Sequence, residues 1–170
     1  MKELWLVTNM NKLVNGGLVD IMMETLNEDL VYLQELQKDQ IFAGQNAKGL
    51  RLAPSYFSDP FFKSPLTAAK YAKFKEKNDA NIRKHNPIFA KKDFETPNLI
   101  VTGSLFHNHI FAKMLPDGID FGSTGRIFGQ LESKYPDLMG LNETAIDGYM
   151  KEKKVAERIQ DKIMKFIIGT

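Results

Sequence analysis

From Leu18 to about Lys38 the apolar residues Val19, Met22, Met23, Leu26, Leu30, Leu33 and Leu36 recur at intervals of three and four. That spacing places them on one face of a long amphipathic helix. Ahead of it, Leu4 and Leu6 alternate with Trp5 and Val7, which predicts a short strand or an extended N-terminal arm over residues 1–17, broken at Asn15-Gly16-Gly17. Behind it, Ile41-Phe42 and Leu50-Arg51-Leu52 flank Gly44-Gln45-Asn46-Ala47-Lys48-Gly49 and predict a hairpin. Ser64-Pro65 then marks a helix start, because serine caps the free N–H groups and proline gives up one that has no partner. That helix runs to about Lys77 with Leu66, Ala69, Ala72 and Phe74 inward.

Residues 78–95 form a polar, lysine-rich connector that includes Pro87. Its length exceeds that of ordinary loops, so a mobile or functional excursion is expected, ordered by a partner. Leu99-Ile100-Val101 reads as a strand, followed by two strands that turn at Pro116-Asp117-Gly118. Gly125 to Tyr135 reads as a helix. Asn142 caps a long final helix over residues 142–169, with Ile146, Tyr149, Met150, Ile159, Ile163, Phe166 and Ile167 along one side. The expected fold is one α+β domain over residues 1–170, an antiparallel hairpin sheet packed against a long N-terminal helix and a long C-terminal helix.

The segment Ala53–Lys63 changes this picture. Pro54 and Pro60 prevent regular structure, yet Tyr56, Phe57, Phe61 and Phe62 lie between or beside them. Four aromatic rings must be covered, either by the chain's own core or by a neighbouring subunit. Tyr56, Phe57, Phe61, Phe62 and Lys63 are the candidate subunit contacts.

The composition is that of an ordinary globular chain: 170 residues, 43% hydrophobic, with a mean hydropathy of -0.30. No cysteine is present, which excludes disulfides and thiolate metal sites. No apolar run approaches the roughly 20 residues that span a bilayer, and the first residues turn polar at Thr8-Asn9 too early for a secretory leader. Synthesis in the cytoplasm is therefore expected. The net charge of +2 is uneven: residues 1–62 carry -3, residues 63–92 carry +7 and residues 93–170 carry -2. Lys70, Lys73, Lys77, Arg83 and Lys84 are candidate contacts to DNA or to an acidic partner. A solvated lysine face is the plainer account, since no regular interleaving of aromatic groups offers bases a stacking surface.

Catalytic chemistry finds little support. His107-Asn108-His109 puts two histidines on one face of a strand, but no carboxylate follows at close spacing to complete a metal site. Gly122-Ser123-Thr124-Gly125-Arg126 lacks the spacing and the Gly-Lys-Ser/Thr ending of a phosphate-binding loop, and reads as a strand-to-helix turn with Ser123 or Thr124 capping. The pairs Glu28-Asp29 and Asp117/Asp120 lack an apolar pocket to raise a carboxyl pKa. A non-enzymatic chain without cofactor or metal is expected.

The order of the motifs resembles the tail-completion and head–tail connector proteins of tailed bacteriophages, nearest to those of Bacteroides-infecting, crAss-like phages. It rests on the long first helix, the Gly44–Gly49 turn, Thr102-Gly103-Ser104-Leu105, and the return strand Ile119-Asp120-Phe121-Gly122-Ser123. Pro54-Ser55-Tyr56, Asp59–Pro65, Lys134-Tyr135 and Gly140-Leu141-Asn142 add to it. The departures are His107-Asn108-His109 and the long final helix. The resemblance implies a structural virion protein, a homo-oligomeric ring below the portal. Such a ring would join neck or tail proteins, have most simply twelve copies by family analogy, and let DNA pass through its channel. Two other readings stand beside it: a DNA-binding accessory protein using residues 63–92, and a hydrolase using His107 or His109.

Overall fold

The computed structural model describes residues 2–99 and 109–169. Ile100, Val101, the Thr102–Leu105 motif, His107 and Asn108 lie outside the described residues.

The chain is a mixed helix-and-sheet protein. Its first element is a helix, α1 (Lys2–Lys12), where an arm or strand was expected. The alternation of Leu4 to Val7 is too short to outweigh a tertiary contact: the Asn9 amide reaches the carbonyls of Phe166 (3.4 Å) and Ile167 (3.3 Å) at the far end of the sequence. The break at Asn15-Gly16-Gly17 is present as a kink, with Gly16 at φ +117°. A left-handed backbone of this kind suits glycine, which has no Cβ to clash.

The long helix expected from residue 18 is two helices, α2 (Leu18–Glu28) and α3 (Leu30–Phe42), parted at Asp29. The Asp29 carboxylate accepts from the Tyr149 hydroxyl at 3.0 Å and pairs with Arg158. The break also divides the apolar stripe: Leu33 and Leu36 are buried, whereas Val19 and Met22 face outward. α3 is the central element, burying Leu33, Leu36, Gln37, Lys38, Gln40, Ile41 and Phe42. A helix covered on nearly every side lies inside the fold whatever its pattern of polarity.

No hairpin follows α3. The chain remains helical to Phe42, reverses at Gly44 (φ +73°) and makes a single antiparallel bridge, Gln45 to Arg51. Asn46 shapes the loop, its Oδ1 accepting the N–H groups of Lys48 (3.1 Å) and Leu50 (2.9 Å). Such side-chain bonds replace a ladder with a turn.

α4 (Pro65–Ile82) begins as expected, with Ser64 Oγ accepting the Thr67 N–H at 3.3 Å. It continues five residues into the supposed connector. The remainder, residues 83–95, is anchored in the fold rather than loose. Arg83 bonds Asp39 at 2.6 Å and Glu35 at 3.0 Å, Asn86 bonds Asp39 at 2.9 Å, and Phe89 is buried.

Among the described residues the sheet is one antiparallel hairpin, β1 (Ile110–Leu115) with β2 (Gly118–Ser123), in register from Ile110↔Ser123 to Leu115↔Gly118. A lone hairpin is marginal in water, and this one leans on α3, where Gln34 accepts the Ala112 N–H at 3.3 Å. The short α5 (Phe128–Lys134) follows. The long last helix is again two: α6 (Glu143–Glu152) and α7 (Val155–Ile168), separated by Lys154 at φ +48°. Asn142 caps α6, accepting the Ala145 N–H at 2.9 Å.

Candidate interaction surfaces

Three of the loop aromatics meet in one place. Tyr56 is buried with its ring edge-on to Phe62 (6.2 Å between centroids) and to Tyr71 of α4 (5.3 Å). Phe62 also touches Tyr71 and Phe61, each at 5.3 Å. Edge-to-face contacts of this kind are attractive beyond the area they cover. The loop is held by the Tyr56 N–H to Glu95 carbonyl bond (2.9 Å), by the Phe61 N–H to Asp59 Oδ1 bond (3.0 Å), and by the Asp59–Lys134 ion pair. The rings form one wall of an open cleft of about 320 Å³, which Leu131 and Tyr135 close from α5 and its C-cap.

The five expected interface residues therefore separate. Tyr56 is core and braces the wall. Phe62 is half-buried. Phe61 stands 78% exposed at the lip of the cleft, and Lys63 beside it is exposed. Phe57 lies apart, exposed, and pairs edge-on with Phe94 at 5.9 Å. Burial pushes the phenol of Tyr135 up to about 12 and raises those of Tyr56 and Tyr71 too; the charged side chains of Asp59, Lys75 and Lys134 also line the cleft.

The basic segment also divides. Lys70, Lys73 and Lys77 are exposed on α4, and their spacing of three and four gives them one outward face. Lys84 is exposed as well. Arg83 is committed to Asp39 and Glu35. Lys75 points inward, its ammonium 3.3 Å from Asp79, while Lys92 reaches the other oxygen of Asp79 at 3.5 Å. Burial lowers the Lys75 pKa, and the Asp79 charge opposes that shift. The +7 of residues 63–92 thus overstates what a partner would meet.

The remaining motifs have local duties. His109 Nδ1 lies 3.1 Å from Thr124 Oγ1, and the Thr124 N–H donates to the His109 carbonyl at 2.9 Å, which extends the hairpin beyond its strands. Ser123 Oγ accepts the Gly125 N–H at 3.1 Å, a turn bond rather than a helix cap, since α5 begins at Phe128. Glu28 is bonded by Lys162 (2.6 Å) and Arg158 (2.7 Å), and these bonds hold its carboxyl below the usual range. Among the described residues no three His, Asp or Glu side chains gather as a metal site would need. No helix among them is long and apolar enough to cross a membrane.

A second surface escaped the sequence reading. Leu6 and Met10 on α1, Val14 in the kink, and Leu18 and Met22 on α2 recur every four residues, and all five are between 41% and 83% exposed. The period was visible in the sequence. Helical spacing alone does not say which apolar face is covered, and α7 covers α1 from the side of Asn9. No family model, curated protein or solved structure matches this chain.

Proposed function

We propose that this chain is a structural assembly protein, a virion component that forms a ring at the head–tail junction of a tailed phage. The observation that carries the assembly reading is Phe61, a phenylalanine 78% exposed on a loop whose neighbouring bonds fix it beside an open aromatic cleft. Exposed aromatic groups on a braced support are the usual anchors of protein–protein contacts. The junction itself, the ring and its portal, neck and tail partners come from the resemblance in motif order. The test is light scattering across a concentration series, alone and with the portal protein of the same virion. A closed ring, alone or on the portal, supports the reading; a chain that stays single under both conditions sinks it.

The outward lysine face of α4 favours a second reading, a DNA-binding accessory protein. Each phosphate neutralised by a lysine releases condensed counterions, so affinity would fall steeply with salt. Replacing Lys70, Lys73 and Lys77 by glutamine would flatten that dependence by a slope of about 3 for duplex DNA. A slope unchanged by the triple substitution removes this reading.

A further inference from the structure

We infer that the kink between α1 and α2 is a site of self-modification, where Asn15 closes on the backbone nitrogen of Gly16 and becomes aspartate and isoaspartate in the folded protein. The inference is independent of the assembly reading above.

The chemistry needs only the chain and water. The Gly16 nitrogen attacks Cγ of Asn15, an N–Cγ bond forms, and the Cγ–Nδ2 bond breaks. Nδ2 leaves as ammonia with the proton that Gly16 gives up, and a cyclic imide remains. Water then opens the imide. Attack at Cγ gives aspartate; attack at the backbone carbonyl gives isoaspartate, which routes the main chain through Cγ and lengthens it by one carbon. A side chain on the following residue hinders ring closure, and no other asparagine of this chain precedes a glycine.

The structure leaves this pair open to the reaction. Asn15 (φ -89°, ψ 39°) and Gly16 (φ +117°) have already left the helical conformation. The bond that spans the kink, from the Leu18 N–H to the Leu13 carbonyl, uses neither residue. The rotation about Asn15 ψ that brings the Gly16 nitrogen to Cγ therefore unwinds no regular helix, and glycine accommodates it on the far side. Asn15 is exposed, and a Cβ placed on Gly16 would meet nothing within 4 Å, so there is room for the ring. Asn15 also lines an open hollow of about 440 Å³ with Thr8, Lys12 and Asp20, a polar setting that water reaches. The Asp-Gly pairs, which form the same imide by losing water, are held: Gly148 lies within α6 against Ile88, and Gly118 is paired with Leu115 in the hairpin.

The product alters the joint between the helices. A Cβ on Gly17 would stand 3.0 Å from the Lys12 carbonyl oxygen and 3.2 Å from the Phe166 ring of α7, so the chain is packed on that side. A carbon inserted at residue 15 is not absorbed there, and it displaces α1 from α7, where Asn9 bonds the carbonyls of Phe166 and Ile167.

The test is peptide mapping by mass spectrometry of the full chain held in mildly alkaline buffer at body temperature, folded and, in parallel, unfolded in guanidinium. In the folded protein Asn15 is expected to gain one mass unit, as NH2 is exchanged for OH. It should do so ahead of every other asparagine and at a rate close to that of the unfolded chain. Asn15→Gln, which closes a larger ring slowly, is expected to abolish the gain at this position. An Asn15 that converts only in guanidinium is shielded by the fold, and that result overturns the inference. So does folded protein in which another asparagine converts first. Converted protein separates on anion exchange by its added negative charge. It is expected to lose α1 to limited proteolysis sooner than unconverted protein, and equal cutting overturns the displacement of α1.

Discussion

The side chain of Gln40 clasps the loop before α6: its Oε1 accepts the Asn142 N–H at 2.8 Å, and its Nε2 donates to the Gly140 carbonyl at 2.8 Å. Gln37, one turn earlier, accepts the Gly140 N–H at 2.8 Å and reaches the Leu138 carbonyl at 3.4 Å. Two fully buried glutamines of α3 thus satisfy the backbone of residues 138–142, as a neighbouring strand would. The same loop ends on Asn142, which caps α6, so the clasp sets where the C-terminal helices start.

Removing the clasp leaves buried backbone groups without partners. Each such group costs about 1–3 kcal/mol. Gln40→Ala is expected to lower stability by about 3 kcal/mol, read as a fall in urea midpoint at unchanged slope. A loss below about 1 kcal/mol would mean that water reaches this loop and the clasp is not what holds it.

The two kinds of loop aromatic are expected to behave oppositely. Tyr56 is buried against Phe62 and Tyr71, so Tyr56→Ala should cost about 3–5 kcal/mol, as buried aromatic truncations do. Phe61 is mostly solvent-exposed, so Phe61→Ala should change stability by no more than about 0.5 kcal/mol. The same substitution should weaken self-association. If Phe61→Ala assembles like the wild type, the loop is not an interface.

These contrasts show which features the sequence carried. Ser64 and Asn142 were legible as caps because a cap is a contact over three residues, and the Pro116-Asp117-Gly118 turn was legible for the same local reason. What escaped depends on distant partners. Asp29 breaks a helix whose periodicity runs straight through it, and its carboxylate is held by Tyr149 and Arg158, more than a hundred residues away. Lys154 takes a left-handed conformation without being glycine or asparagine, which no pattern rule anticipates. Gln37 and Gln40 look like surface residues until the loop they bond is in view. For the candidate surface, the aromatic cluster was evident, but its division into a buried Tyr56 and an exposed Phe61 required the fold.

The buried charges Lys75, Asp79 and Lys92 form a line in which Asp79 faces both cations. Asp79→Asn leaves two largely buried ammonium groups without a counter-charge, and losses of about 3–5 kcal/mol follow when a buried pair is broken this way. Lys75→Met differs, because Asp79 keeps Lys92 and the methionine fills the same space. Its effect should lie within about 1 kcal/mol of wild type. Urea titrations of both variants check the asymmetry, and equal losses would show that Lys92 does not compensate.

Alkaline pH offers a test of the same core. Burial first, and for Tyr149 its bond to Asp29, raise the phenol pKa values of Tyr56, Tyr135 and Tyr149, with Tyr135 pushed up to about 12. In the unfolded chain tyrosine titrates near 10. Above about pH 10 the unfolded state loses these protons while the folded state keeps them, so stability falls as pH rises. The slope is about 1.4 kcal/mol per pH unit for each such tyrosine. Lys75 acts in the other direction. Its folded pKa is lowered, so between that value and the unfolded value of about 10.4 the folded state is the one that has lost its proton, and stability rises with pH. The Lys75 gain is complete just above pH 10, where the tyrosine loss takes over. Urea midpoints are therefore expected to rise gently up to about pH 10 and then to drop; Tyr32 and Tyr71 are raised as well, so Tyr135→Phe should make the tyrosine part of the drop shallower by about a fifth. A native protein in which all five tyrosines ionise near pH 10, followed by absorbance, would remove the basis for the drop and show the cleft wall to be open to water.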